Sequence, residues 1–120
     1  MKIAIPVDEK NLESTVCVSF GRTPYFLIYD MNDDAYTFID NSAATSQGGA
    51  GIKAAQNVVD QNVNALLTPR CGENAYEVLI GAKVSLYKTS GTSIKENIAL
   101  FKESKLPILS EIHSGFHGHR

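Results

Sequence analysis

The chain of 120 residues contains no tryptophan, only two cysteines, four prolines, and three histidines that all fall within the last eight positions. Each scarcity removes a class of protein. Cys17 and Cys71 lie far apart and make no C-x-x-C pair, which argues against a disulfide scaffold and excludes a sequence-local zinc or redox motif. In a reducing compartment they are expected to be free thiols. A histidine-based nucleophilic triad has no base to draw on, because residues 1 to 112 contain no histidine. A formal net charge of -2 supplies no broad positive field for a nucleic-acid backbone or an anionic membrane surface. The opening Met1-Lys-Ile-Ala-Ile-Pro-Val-Asp8 holds only a short apolar run, neither a signal peptide nor a spanning helix. The expectation is a cytoplasmic protein with neither nucleic acid nor membrane as partner.

What is present is the composition of an ordinary folded protein. With 43% hydrophobic and 20% charged residues, the chain is long enough for one buried core and too short for two. Lys2 to Val7 is a β-branched apolar run that reads as a buried first strand. Tyr25 to Met31 and Ala35 to Asp40 are aromatic and β-branched, and Asn32-Asp-Asp34 between them predicts a hairpin turn. After the polar, Gly-rich stretch from Asn41 to Gly51, the spacing of Ile52, Ala55, Val58 and Val59 switches to a helical period.

Asn64 to Thr68 reads as a short strand stopped by Pro69, and Ala75, Val78, Leu79 and Ala82 predict a second amphipathic helix. Val84 to Tyr87 is a further strand. Ser93, with Glu96 three residues on, predicts a capped third helix bearing Ile94, Ile98 and Phe101, ended before Pro107. The order βββαβαβα makes this an α/β protein with a mixed five-stranded sheet flanked by helices. One domain is expected over residues 1–110, followed by a mobile His-containing tail over 111–120.

In a sheet with parallel crossovers, ligands bind beyond the carboxyl ends of the strands. Three segments are expected to converge there: the loop from Asp8 to Arg22, the turn Gly48-Gly-Ala-Gly51, and Thr68-Pro-Arg-Cys-Gly-Glu-Asn74. Gly49, Gly51 and Gly72 let backbone N–H groups approach a guest, and helix starts carry unpaired donors with partial positive charge. Arg22 and Arg70 add fixed charge. Cys17 and Cys71 offer soft thiolates near those positive groups, where a thiol pKa is expected to fall. Hard anion donors beside soft ligands favour a metal–sulfide cluster over a phosphate ester. Taken alone, the glycine run is an ordinary helix-opening turn, matching neither the dinucleotide fingerprint nor the phosphate loop with its lysine. A buried cysteine is as often a space-filler as a ligand.

In the tail, His113, His117 and His119 form an H-x-x-x-H-x-H array suited to copper, nickel or zinc. A two-metal nuclease would need clustered carboxylates, whereas Asp8, Asp30, Asp40 and Glu73 are dispersed along the chain. A non-enzymatic binding protein is the better expectation. An alternative is a regulatory or scaffolding module that takes a small anionic ligand or a partner protein in the same cleft.

Met1-Lys-Ile-Ala-Ile-Pro-Val-Asp8, Phe20-Gly-Arg-Thr-Pro-Tyr-Phe26, Gly49-Ala-Gly-Ile-Lys-Ala-Ala55 and Gly72-Glu-Asn-Ala75 occur in that order over a chain matched to about Leu109. In these blocks the sequence resembles the dinitrogenase iron–molybdenum cofactor biosynthesis family. The resemblance implies a ribonuclease H-like fold without nuclease activity that binds or ferries metallocluster precursors, with assembly or acceptor proteins as partners. It also implies a stand-alone member; one such protein carries a molybdenum–copper sulfide cluster. That cluster is the preferred cofactor, with an iron–molybdenum precursor or an iron–sulfur cluster as alternatives. Many members carry a histidine where this chain has Ser19. The expected cluster-binding set is therefore Arg22, Gly49, Gly51, Arg70, Cys71, Gly72 and Asn74, with Cys17 and Cys71 as candidate thiolate ligands.

Overall fold

A computed structural model describes residues 1–110 and 112. Five strands, β1 (Lys2–Val7), β2 (Tyr25–Asp30), β3 (Ala35–Asp40), β4 (Ala65–Thr68) and β5 (Ser85–Lys88), alternate in the second half with α1 (Ala50–Val59), α2 (Glu73–Gly81) and α3 (Ile94–Lys102). The sheet order is β3-β2-β1-β4-β5. β1 pairs antiparallel with β2 from Lys2 opposite Asp30 to Val7 opposite Tyr25. β2 continues antiparallel into β3, whereas β4 and β5 run parallel to β1. The carboxyl ends of β1 and β4 therefore lie at one edge, where loops leaving them toward different elements open a crevice.

Alternation along each strand divides the core in two. Ala4, Phe26, Ile28, Leu66 and Leu86 face α1 and α2, whose Ala54, Ala55, Val58, Ala75 and Leu79 complete that side. Ile3, Ile5, Val7, Leu27, Tyr29, Ala65 and Leu67 face α3 through Ile94 and Ile98. β1, β2 and β4 are buried on both faces, hence their near-continuous apolar runs. Each large aliphatic side chain so buried contributes about 1.5–3 kcal/mol. The small residues on α1 and α2 let those helices lie close to the sheet and to each other.

Two readings from spacing are corrected. Ile52 was expected on the buried stripe of α1 but is 41% exposed; the helix starts two residues earlier, and its buried face is Ala54, Ala55 and Val58. The stretch after Asn41 contains a 3₁₀ turn, Ser42–Thr45, that spacing did not predict. At α3 the expected cap is present, Ser93 Oγ accepting from Glu96 N at 3.1 Å.

Buried Asn41 organises the loops beneath the crevice. Its Nδ2 donates to Gly21 O (3.2 Å) and Thr23 O (2.9 Å), and its Oδ1 accepts from Ala43 N (3.2 Å) and Asn57 Nδ2 (2.9 Å). One amide thus ties the loop before β2 to the 3₁₀ turn and to α1. Asn41→Ala strips partners from buried carbonyls and is expected to cost roughly 2–3 kcal/mol. The check is urea unfolding, with a lower midpoint at unchanged slope. A loss within about 0.5 kcal/mol would mean the loops hold without it.

Candidate functional site

The crevice is a cavity of about 430 Å³ lined by three chain segments, Val18–Arg22, Gly49–Ile52 and Arg70–Ala75 without Glu73. The structure brings Arg22, Gly49, Gly51, Arg70, Cys71, Gly72 and Asn74 together around it. Cys17 is not among the lining residues: its N–H donates to Pro6 O at 2.8 Å, and its Sγ sits 3.7 Å from Ser19 O. His113, His117 and His119 lie outside the described residues.

Two helices begin at the cavity, and neither start is capped by a side chain. Gly49, the N-cap of α1, has φ 67°, a left-handed conformation that costs glycine nothing and bends the chain into the helix. Gly72, the N-cap of α2, is extended and likewise offers no side-chain acceptor. The first intrahelical bonds run from Lys53 N to Gly49 O (3.0 Å) and from Tyr76 N to Gly72 O (2.9 Å). The N–H groups of each preceding first turn have no intrahelical acceptor. Side by side they give the crevice a positive partial charge that an anion would relieve.

The loop carrying Phe20, Gly21 and Arg22 closes the third wall. A Cβ placed on Gly21 would lie 3.2 Å from Gly51 N and 3.3 Å from Gly51 Cα, so this loop lies backbone to backbone against the first turn of α1. On its far side Gly51 meets Ala75 of α2, whose Cβ would be 3.6 Å from a Cβ on Gly51. Small residues in sequence thereby let three segments meet within a few ångströms.

Arg22 Nη1 donates to Ala44 O at 3.3 Å and to Ser46 O, locking the 3₁₀ turn, while its other guanidinium donors remain for a guest. Arg70 is exposed, and among the described residues no hydrogen bond or ion pair engages its guanidinium. Its backbone is fixed by buried Thr68, whose Oγ1 donates to Arg70 O at 3.0 Å. Among the described residues no carboxylate lines the cavity.

Cys71 is 1% exposed, with its Sγ 3.5 Å from Gly72 O. The expected fall in thiol pKa is overturned here, because burial pushes the thiol up to about 12. Arg70 and the helix starts do not offset the loss of water around that sulfur. Among the described residues no group of three or more His, Cys, Asp and Glu side chains is placed to hold a metal ion. The arrangement can grip an anion with backbone N–H groups and arginine, and it presents one neutral thiol at the cavity wall.

The expected set did not include Val18, Ser19, Phe20, Gly21, Ala50, Ile52 and Ala75, which also line the cavity. Gly21 and Ala75 stand inside the matched blocks and were open to being singled out. Val18, 64% exposed, carries no such signal.

Among the described residues no helix is long and apolar enough to cross a membrane. The fold superposes on the apo form of the orange protein from Desulfovibrio gigas with a TM-score of 0.85, at 28% identity over 91% of this chain and 92% of that one. A NifB-type protein from Thermotoga gives a TM-score of 0.82 at 33% identity, covering 96% and 98% of the two chains. An uncharacterised protein of Methanocaldococcus jannaschii is 34% identical over 109 residues, 88% of this chain and 89% of that protein. With residues 1–104 matching the sequence profile described as "Dinitrogenase iron-molybdenum cofactor", the chain belongs to that family.

Proposed function

We propose that this chain is a non-enzymatic cytoplasmic carrier that holds an anionic metal–sulfur cluster, or its precursor, in the crevice between α1 and α2. The observation that carries the reading is the donor set: two helix starts without side-chain caps, Arg22 and Arg70, and no carboxylate among the described residues, around one buried thiol. Such a wall suits a preassembled anion whose metals already have sulfide ligands. The family match and the likeness to the orange protein support the same reading. The preferred cargo is a molybdenum–copper sulfide, with an iron–molybdenum precursor or an iron–sulfur cluster as alternatives. Delivery would be to a metallocluster assembly or acceptor protein.

On this reading the domain over residues 1–110 is a ribonuclease H-like framework put to binding. Gly49, Gly51, Gly72 and Asn74 shape the backbone cradle, Arg22 and Arg70 supply charge, and Cys71 is the soft contact. Cys17 lies outside the cavity wall and would contribute only after the loop from Val16 to Ser19 moves. The tail histidines, His113, His117 and His119, would act as accessory metal capture.

Incubation of the purified protein with tetrathiomolybdate and a copper salt, followed by desalting, is expected to leave bound molybdenum and copper and a visible charge-transfer band. Arg70→Gln is expected to weaken retention about tenfold by removing a charge-assisted contact. Absence of retained metal and colour in the native chain would sink the carrier reading. A chain ending at residue 112 is expected to load the cluster as well as the whole protein does. Complete loss of loading on that truncation would move the site to the tail.

The thiol makes a separate prediction. At pH 8 iodoacetamide is expected to label Cys17 and spare Cys71, with both labelled once the chain is unfolded in urea. The unfolded thiol ionises near 9.0 and the folded one near 12, so the unfolded state releases its proton first. The contribution of Cys71 to stability is thus complete below about pH 9 and declines from there toward pH 12. Urea midpoints for the native chain and Cys71→Ala across pH 8 to 11 should converge as pH rises. A constant gap would contradict the buried neutral thiol.

A further inference from the structure

The two edges of the sheet are treated differently. Along β5, the segment after α3 covers the edge: Lys88 N donates to Pro107 O (2.8 Å), Leu109 N donates to Leu86 O (3.0 Å), and Tyr87 bridges Ile108. β3 forms the opposite edge, and no described strand pairs with its outer side. Of the usual guards it carries only the charge of Asp40, at its end. Ala35-Tyr-Thr-Phe-Ile-Asp40 contains no proline or lysine, and its register with β2 runs from Tyr25 opposite Asp40 to Asp30 opposite Ala35 without a bulge.

Which groups face outward follows from that register. Asn41 N donates to Pro24 O at 3.0 Å, so Asn41 and, alternating from it, Ile39, Thr37 and Ala35 bond toward β2. The N–H and C=O groups of Tyr36, Phe38 and Asp40 point away from the sheet. This set is symmetric about Phe38. A second copy laid antiparallel on a two-fold axis through Phe38 would meet every outward donor with an outward acceptor, leaving none over.

The side chains agree with the backbone. Phe38 would face its own counterpart, and Tyr36, 39% exposed and stacked on Tyr29 at 4.7 Å, would stand opposite Asp40 of the second copy. At one end Lys10, 3.2 Å from Asp40, neutralises the acid that would stand nearest the Asp33–Asp34 turn of the second copy. We infer that β3 is a homodimerisation edge, through which two copies join their sheets into one ten-stranded sheet with two separate crevices. The inference does not depend on what the crevice holds.

The test uses the whole native chain without cargo. Sedimentation equilibrium is expected to show roughly a doubling of mass as concentration rises toward the order of 1 mM. In hydrogen exchange over the same range, the amides of Tyr36, Phe38 and Asp40 are expected to gain about tenfold protection or more, while Thr37 and Ile39 are protected throughout. Tyr36→Asp opposes two carboxylates across the axis and is expected to yield a monomer; adding Asp40→Lys to it should restore the dimer. A monomer at every concentration overturns the inference. So does a dimer in which the alternating amides stay fast, or protection that appears only when another protein's strand is added.

Discussion

Everything at the crevice depends on how closely one backbone approaches another, at Gly21 against the first turn of α1. A side chain at position 21 would begin 3.2 Å from Gly51 N, so the loop lies this close to the helix because Gly21 carries none. The contact brings little apolar burial, and the surrounding hydrogen bonds hold it. Asn41 grips Gly21 O and Thr23 O from below, and Arg22 Nη1 grips Ala44 O and Ser46 O from the side. The two-sided apolar core fixes where β1, α1 and α2 stand, and this polar lacing converts their positions into a narrow crevice.

That narrowness carries an electrostatic cost. Two helix starts meet at one place without side-chain caps, and two arginines face the same space with no carboxylate among the described residues lining it. With no side-chain cap at either start, the first-turn N–H groups set like partial charges against each other. An anion in the crevice relieves both the unpaired donors and the mutual repulsion. The site is therefore poised for negative guests by what it omits, the caps and the acids, as much as by what it contains. Burial of Cys71 adds a different preference. A thiol held neutral by desolvation is a poor partner for an oxyanion, but a thiophilic metal would displace its proton to solvent, the metal–sulfur bond compensating for the S–H bond lost.

Most of the architecture was legible because strand and helix periods are local. The apolar run Lys2 to Val7, the hairpin turn Asn32 to Asp34 and the Ser93–Glu96 cap each carry their signal within a few residues. The convergence of three loops followed from topology, since parallel crossovers put the ends of β1 and β4 at one edge. What escaped was set by distance in sequence. Asn41 bonds to residues 16 to 20 positions away, and nothing near it announces that role. Ile52 had the right spacing for the core, but the helix begins at Ala50 and turns its Ala54–Ala55–Val58 stripe inward. The thiol pKa was misjudged for the same reason. Nearby positive groups are visible in a sequence, whereas the burial that outweighs them at Cys71 is a property of the packed fold.

A carrier must release what it binds, and the donor set bears on that requirement. A cage of three or four protein ligands can hold a metal ion so tightly that removal becomes slow, because each ligand bond must break in turn. Among the described residues no such cage exists. On the carrier reading, backbone N–H groups and the exposed Arg70 would hold an anion through many individually weak contacts that salt, water or a competing surface can replace one at a time. A single thiol contact adds selectivity without closing the coordination shell. On the carrier reading, the lack of a ligand cage in the crevice is what permits transfer, and the two arginines decide how readily it occurs: Arg22, anchored by carbonyls, keeps the wall in place, while Arg70 is free to follow the guest outward.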